Sequence, residues 1–335
     1  MTPAAAPLVD RFGRRISYLR LSVTDRCDLR CRYCMSEAMT FLPRSEVLTI
    51  EEMGTIADAF VARGVRKIRL TGGEPLVRSG FDTLARHIGR HVAARRLDEL
   101  TVTTNGTRLT DHAQSLVDAG VRRINVSLDT RDPDRFRHIT RTGDLGKVLG
   151  GIAAAKAAGL AIKINMVALK GVNQDEIEEM VRWCGGQGFD LTLIETMPLG
   201  VVDEDRTDRY LPLDRVRSQL EDRFTFVPID HRTGGPARYV RVAETGARLG
   251  FITPLTNNFC DGCNRVRLTA SGRLYMCLGH DDRMDLKQVL RTRGPEALDA
   301  AIDAALLAKP LRHDFRIAER RAAPAVARHM SVTGG

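Results

Sequence analysis

Six of the seven cysteines of this 335-residue chain fall into two spaced triplets. Cys27, Cys31 and Cys34 follow the pattern Cys-x3-Cys-x2-Cys, and Cys260, Cys263 and Cys277 follow Cys-x2-Cys-x13-Cys. Thiolate is the ligand of iron–sulfur clusters and of zinc, and closely spaced cysteines are how a chain builds such sites. Three thiolates on a four-iron cube leave one iron open to a ligand that is not protein. Positions 27, 31 and 34 also follow helical spacing, with Thr24 and Ala38 on the same face. A core stripe, however, gives no reason for three cysteines where Leu or Val would pack. On spacing alone the second triplet is open between a cluster and a Cys3His zinc site completed by His280. Cys184, beside Trp183 in a helical stretch, is expected in the core.

Other candidate residues sit at or just beyond the ends of expected strands. Gly72-Gly73-Glu74-Pro75 follows an apolar strand, and its glycines allow close approach of the backbone to a ligand. Asn105, Ser127 and Met197 take similar positions. Arg20, Arg69 and Lys163 lie inside apolar strands, where a cation without a partner is costly, so a ligand is the expected partner.

These residues need a frame. Hydrophobic residues make up 43% of the chain, and no apolar run approaches the ~18 residues of a membrane span. The Ala/Pro-rich start lacks the basic and apolar regions of a signal peptide and reads as a loose terminus over residues 1–12. A soluble, cytoplasmic protein with reduced thiols is expected, so metal explains the triplets better than disulfides do. The net charge of +9 suits a polyanionic partner or a scattered Arg-rich surface. No aromatic-interleaved basic patch is present, so neither a nucleic-acid partner nor a membrane is expected.

Strand and helix signals alternate six times between residues 18 and 195. Thr49-Ile50-Glu51-Glu52 is a capping-box start, and Gly64, Gly120 and Gly159 close helices. Such alternation predicts an α/β fold with a parallel sheet, either doubly wound or a partial barrel, with the site at the strands' C-terminal ends. The pattern breaks near Gly200. Residues 201–320 then read as a smaller α+β region with a Ser271-Gly272 hairpin turn, and residues 321–335 as a tail ending in Gly334-Gly335.

The first triplet, with Tyr33 before its last cysteine, resembles the radical S-adenosylmethionine (SAM) superfamily, and residues 72–75 resemble that superfamily's GGEP segment. Further stretches are similar to the GTP 3′,8-cyclase family, or molybdenum-cofactor biosynthesis protein A. They are Asp10-x-Phe12-Gly13-Arg14, residues 19–27, 67–75, 103–106 and 122–129, the segment 258–268 with Cys277, and the terminal Gly-Gly. Ser36 departs from the family's usual Pro and lies beyond the cluster ligands.

The resemblance implies a partial (β/α)6 barrel over residues 13–200, with the α+β region covering its open side. It implies two 4Fe–4S clusters, one on each triplet, and SAM as cofactor. SAM contacts then fall on Tyr33, Gly73, Glu74, Ser127 and Met197. GTP contacts fall on Arg20, Arg69, Thr103, Lys163, Arg265, Val266 and Arg267. Gly334 and Gly335 join Cys27, Cys31 and Cys34 in the catalytic set. The implied reaction abstracts the ribose C3′ hydrogen of GTP with a 5′-deoxyadenosyl radical and yields 3′,8-cyclo-7,8-dihydro-GTP for molybdopterin synthesis. An external electron donor and the next enzyme of that pathway are the implied partners of a monomer or homodimer. The alternatives are another two-cluster radical SAM enzyme, such as a peptide modifier, and a non-catalytic iron–sulfur or zinc regulator.

Overall fold

The computed structural model of this protein describes residues 6–317, 320 and 322–334. Its first half alternates strand and helix in chain order: β1 (Tyr18–Ser22), α1 (Ile50–Ala62), β2 (Lys67–Thr71), α2 (Phe81–Ala93), β3 (Glu99–Thr104), α3 (Leu109–Asp118), β4 (Arg123–Ser127), α4 (Pro133–Thr140), α5 (Leu145–Ala157), β5 (Ala161–Ala168), α6 (Ile177–Gln187) and β6 (Asp190–Glu195). Strands β1 to β6 pair in order, each parallel to the next. Local chemistry sets the helix ends. Thr49 caps α1 with both hydrogen bonds of a capping box, and Gly64 follows α1 with φ +87°. On the outer surface Asp58 of α1 accepts from His87 at 2.9 Å and lies 2.6 Å from His91, both on α2, which ties the two helices together.

The second half continues with α7 (Arg206–Arg209), α8 (Leu213–Glu221), β7 (Phe226–Pro228), β8 (Arg238–Val242), β9 (Arg248–Ile252), β10 (Arg265–Leu268), β11 (Arg273–Tyr275), β12 (Arg283–Asp285), α9 (Leu286–Arg293), α10 (Leu298–Leu307) and α11 (Met330–Thr333). Its strands build no sheet of their own. β10 pairs parallel to β1 and β9 parallel to β6, giving one 12-stranded order, β12-β11-β10-β1-β2-β3-β4-β5-β6-β9-β8-β7. The two edges of the six-stranded array, which would otherwise present unpaired backbone, are thereby closed. The expected hairpin at Ser271-Gly272 joins β10 to β11, with Gly272 at φ +80°. Helix α9 lies outside the elements expected from the sequence, although Leu286, Val289 and Leu290 carry helical spacing; Asp285 starts it by accepting from the Gln288 amide.

Period-two alternation divides each barrel strand. Leu19 and Leu21, Ile68 and Leu70, and Ile162 and Ile164 join the buried apolar core, as does Cys184. The alternate residues face inward, and they are strongly polar. Among the described residues no helix is long and apolar enough to cross a membrane.

Candidate active site

The inward faces of the strands line one cavity that contains all six cysteines of the two triplets. Counted to its open mouth, and including the solvent there, the space it bounds is about 2000 Å³.

Its middle is cationic. In the register of the sheet Arg267, Arg20 and Arg69 stand abreast on β10, β1 and β2, and one level down Arg265, Tyr18 and Lys67 do the same. Like charges on directly neighbouring strands repel. A buried row of them implies that an anion completes the site. Burial holds the Arg20 guanidinium well below its ordinary range, and Arg267 adds to the effect. Burial and then Arg265 bring Arg267 down to about 10. Lys163 is lowered by burial and next by Arg69, and its Nζ donates to the Tyr239 hydroxyl at 3.0 Å. Tyr18 reports the same field. Burial alone would raise its phenol, yet Arg69, Arg20 and Lys67 bring it down to about 8. Arg69 Nε, Thr103 Oγ1, Asn125 Nδ2 and Asn165 Oδ1 are buried without a hydrogen-bond partner, and all four residues line the cavity. Buried polar atoms seldom lack partners in a complete structure, so a polar ligand fits here.

The first triplet lies in the loop that leaves the C-terminal end of β1. Gly72 and Gly73 follow β2 beside it. A Cβ on Gly73 would lie 2.3 Å from the Arg26 carbonyl, and one on Gly72 would lie 2.5 Å from that of Thr24. Glycine is therefore required by the cysteine loop itself, which receives the Gly73 and Glu74 amides at 2.9 and 2.8 Å. The Tyr33 hydroxyl donates to Asp129 Oδ2 at 2.6 Å, while Oδ1 of Asp129 accepts the Val167 amide at 2.8 Å. Burial pushes the thiols up: Cys27 with help from Glu74, Cys31 with help from Cys34 and Cys27, and Cys34 to about 11 despite a hydrogen bond from the Ser331 backbone.

Strand register places the second triplet elsewhere. Cys263 precedes Arg265, which stands level with Tyr18 at the start of β1. Cys277 follows β11, whose Tyr275 pairs with Arg267 and which runs back toward that same end. The two triplets thus sit at opposite ends of β1, roughly 15 Å apart at ~3.3 Å per residue, with the arginine row between them. The sequence pointed to the C-terminal ends of the strands as the site, and only the first half of the cavity conforms. Around Cys263 burial would raise the thiol, but Arg265 and then Lys309 outweigh it and bring it down to about 7. Burial raises Cys260 and Cys277.

Most residues singled out in the sequence line this cavity: Tyr33, Gly73, Ser127 and Met197 toward the first triplet, and Arg20, Arg69, Thr103, Lys163, Arg265 and Arg267 in its middle and second half. Glu74 and Val266 do not. Glu74 is fully buried and spends both oxygens on the protein: Oε1 accepts from Thr104 Oγ1 at 2.8 Å and the Leu76 amide at 3.0 Å, and Oε2 from the Asn105 amide at 2.6 Å. It fastens the glycine loop. Val266 points to the opposite face of β10 and packs in the apolar core, as its place between two inward arginines requires. Gly334 reaches the cavity wall. Its carbonyl accepts from Arg267 Nη1 at 3.1 Å, and a Cβ on it would lie 2.1 Å from the Thr71 methyl. Gly335 lies outside the described residues. His280 engages the Arg312 carbonyl, its Nε2 lying 3.0 Å from it.

Family models match on both halves: the radical SAM superfamily over residues 21–184 and Molybdenum Cofactor Synthesis C over residues 189–315. The GTP 3′,8-cyclase of Erythrobacter litoralis is 64% identical over 333 residues, covering 99% of this chain and 100% of that protein. The chain belongs to the GTP 3′,8-cyclase family. The GTP 3′,8-cyclase of Agrobacterium fabrum is 60% identical over 336 residues, covering 100% of this chain and 96% of that protein. Among solved structures, SuiB of Streptococcus suis bound to S-adenosylmethionine matches with a TM-score of 0.61 at 15% identity, over 84% of this chain and 65% of that one. The structure titled native anSMEcpe with bound AdoMet matches with a TM-score of 0.57 at 17% identity, over 84% and 82%. At those identities the likeness is one of fold, that of the radical SAM proteins. Family membership carries with it SAM and one 4Fe–4S cluster.

Tyr18, Asn125, Asn165, Asp129, Ser331 and Lys309 were not among the residues singled out, although the structure brings them to the cavity or its wall. For Tyr18, Asn125 and Asn165 the signal was available, since each shares strand parity with a residue that was chosen. Asp129 and Lys309 carried none, because their partners are distant in sequence.

Proposed function

We propose that this chain is a GTP 3′,8-cyclase that converts GTP to 3′,8-cyclo-7,8-dihydro-GTP, the first committed step toward molybdopterin. Cys27, Cys31 and Cys34 would hold one 4Fe–4S cluster, and Cys260, Cys263 and Cys277 a second. The observation that carries the reading is the pair of three-thiol sites at opposite ends of one cavity, with a row of buried arginines between them.

The donor sets fit clusters better than single ions. Among the described residues only Asp58, His87 and His91 bring three candidate ligand atoms within 4.8 Å of one another. A tetrahedral site with Zn–S bonds of ~2.3 Å needs its sulfurs closer than that. His280, the fourth ligand a zinc site would need, faces a carbonyl instead. When bound, the first cluster and SAM would supply the radical chemistry that removes the C3′ hydrogen of GTP, with the electron drawn from an external donor.

The residues of the chain do the rest. Tyr33, held by Asp129, together with Gly73, Ser127 and Met197, lines the SAM side of the cavity. Arg20, Arg69, Arg267 and Lys163 provide fixed cations for the triphosphate, with the guanidinium forks suited to phosphate oxygens. Anchoring the phosphates at mid-cavity and the base toward the second triplet holds C3′ and C8 in a single orientation, which converts ring closure into an intramolecular event. Leu29, Met35, Ile194 and Phe315 line the same cavity and exclude water from it.

Anaerobic turnover with SAM, reductant and GTP deuterated at C3′ tests this, with ATP as control. Deuterium in 5′-deoxyadenosine together with a cyclised guanosine product is the expected result. SAM cleavage without deuterium transfer would remove GTP as the substrate.

A further inference from the structure

Lys309 follows α10 and is almost completely buried, at 1% exposure. Its ammonium has three N–H donors, and all three have acceptors inside the protein: the Met276 carbonyl at 2.6 Å, the Arg265 carbonyl at 2.8 Å and the Cys263 sulfur at 3.5 Å. No carboxylate pairs with it among the described residues. A buried ammonium without a counter-charge is expensive. Here the atoms that can supply that charge are the cysteine sulfurs.

The three acceptors are also informative by position. Arg265 follows Cys263 by two residues, and Met276 immediately precedes Cys277. One ammonium therefore bridges the two ligating segments that the x13 spacing keeps apart in sequence. Arg14 holds the third cysteine from the other side. Its Nη1 donates to the Cys260 carbonyl at 2.9 Å and to the Leu311 carbonyl at 2.7 Å, and its Nη2 to the Pro310 carbonyl at 2.6 Å. Asp10 fixes Arg14 in turn through a 2.6 Å bond to Nε. The segment that carries Lys309 is thus pinned to the cysteines at both ends, and the Asp10-x-x-x-Arg14 motif has a use. At the first triplet Arg30 Nη1 donates to the Cys27 carbonyl at 2.6 Å, much as Arg14 does to that of Cys260, and the Asp28 carboxylate accepts from Asn105 at 2.7 Å and from Thr107 at 2.6 Å; the ammonium on a cysteine sulfur is a feature of the second site.

We propose that Lys309 is the positioning and charge-setting residue of the second cluster: it locks the Cys263 and Cys277 segments together and, by hydrogen-bonding the Cys263 sulfur, stabilises the reduced cluster. The inference rests on the reading that Cys260, Cys263 and Cys277 hold an iron–sulfur cluster. Cluster potentials follow net charge and hydrogen bonds to sulfur. An ammonium at that sulfur raises the potential, and its loss lowers it.

The test uses the full chain with Cys27, Cys31 and Cys34 changed to Ala, so that only the second site loads. Iron and zinc contents are measured after anaerobic reconstitution, and the reduction potential by EPR-monitored titration, for this parent and its Lys309→Gln, Lys309→Met and Lys309→Arg forms. The Gln and Met forms are expected to reduce at least tenfold less favourably, a shift of about 59 mV for one electron, and Arg to restore most of the parent value. Cluster-bearing Gln and Met forms with the parent potential would overturn the proposal. If Gln and Met lose iron, the Arg form decides: recovered iron supports a role for the charge, and equal loss with parent-like melting of the apo-protein overturns it. A parent that binds zinc or no iron would instead remove the second-cluster reading beneath it.

Discussion

The two thiol sites are built from the same ligand and stand in opposite surroundings. Around Cys27, Cys31 and Cys34 burial pushes every thiol up, and the side-chain charges that add to it are the carboxylates Asp28, Glu74 and Asp129, while Arg30 donates to the Cys27 carbonyl. Around Cys263 the charges are Arg265 and Lys309, and that one thiol is brought down to about 7, while burial raises Cys260 and Cys277. Thiolate ligation at the first site would therefore depend on the cationic iron of the proposed cluster, whereas the second site supplies part of its own counter-charge at Cys263. The difference suits the proposed roles. A first cluster that binds SAM, itself a cation, would need no added positive charge, while a second cluster sharing its cavity with a tetra-anionic substrate would gain from one.

The sharpest way to break this division is to remove one ligand from each site. Cys31→Ala is expected to reduce SAM cleavage to background. Cys263→Ala should retain cleavage and lose the cyclised product. Formation of 5′-deoxyadenosine and of product, followed by mass spectrometry, separates the two, and equal loss of cleavage in both variants would end the division of labour.

A milder cut compares the two ligands. Arg69→Ala removes charge-assisted contacts of about 1.5–3 kcal/mol and should weaken GTP binding roughly 10- to 100-fold while leaving SAM affinity within about twofold. Ser127→Ala removes a neutral contact of about 0.5–1.5 kcal/mol and should do the reverse, weakening SAM by roughly 3- to 10-fold. Calorimetric titration of each ligand into each variant gives the four values. A shared loss would show that the cavity does not separate the two ligands.

The scaffolds behind the sites differ as well. Glu74→Gln turns an acceptor into a donor opposite the Asn105 amide, at a cost of about 1–3 kcal/mol. Iron loading of the first triplet should fall and that of the second should not. Melting of the apo-protein and iron content per variant check this.

The smallest effect concerns Asp129. Burial holds its carboxyl at about 6 against an ordinary 3.8, in spite of the Tyr33 and Val167 hydrogen bonds. Between those values the folded chain keeps a proton that the unfolded chain has released, so this group's contribution to stability is present below pH ~4 and falls as pH rises through ~6. Asp129→Asn should remove that slope from the apparent melting temperature between pH 4 and 6. An unchanged slope would place the titration elsewhere.

Local chemistry fixed much of this protein before any folding. The two triplets, the Thr49 capping box, the six strand–helix alternations and the glycines after β2 are short-range patterns, and each is read from neighbours within a few residues. What the sequence left open depended on register and parity. That Arg267, Arg20 and Arg69 stand abreast follows from pairing three strands whose arginines lie far apart in the chain. Parity turned Val266 into the core while its two neighbours face inward. Glu74 was consumed by hydrogen bonds to residues some 30 positions away, and Lys309 found its sulfur 46 positions away. Spacing along the chain announces which ligands exist. Only the tertiary structure decides which charges surround them, because a Coulomb partner is set by distance in space and by the burial that both groups share.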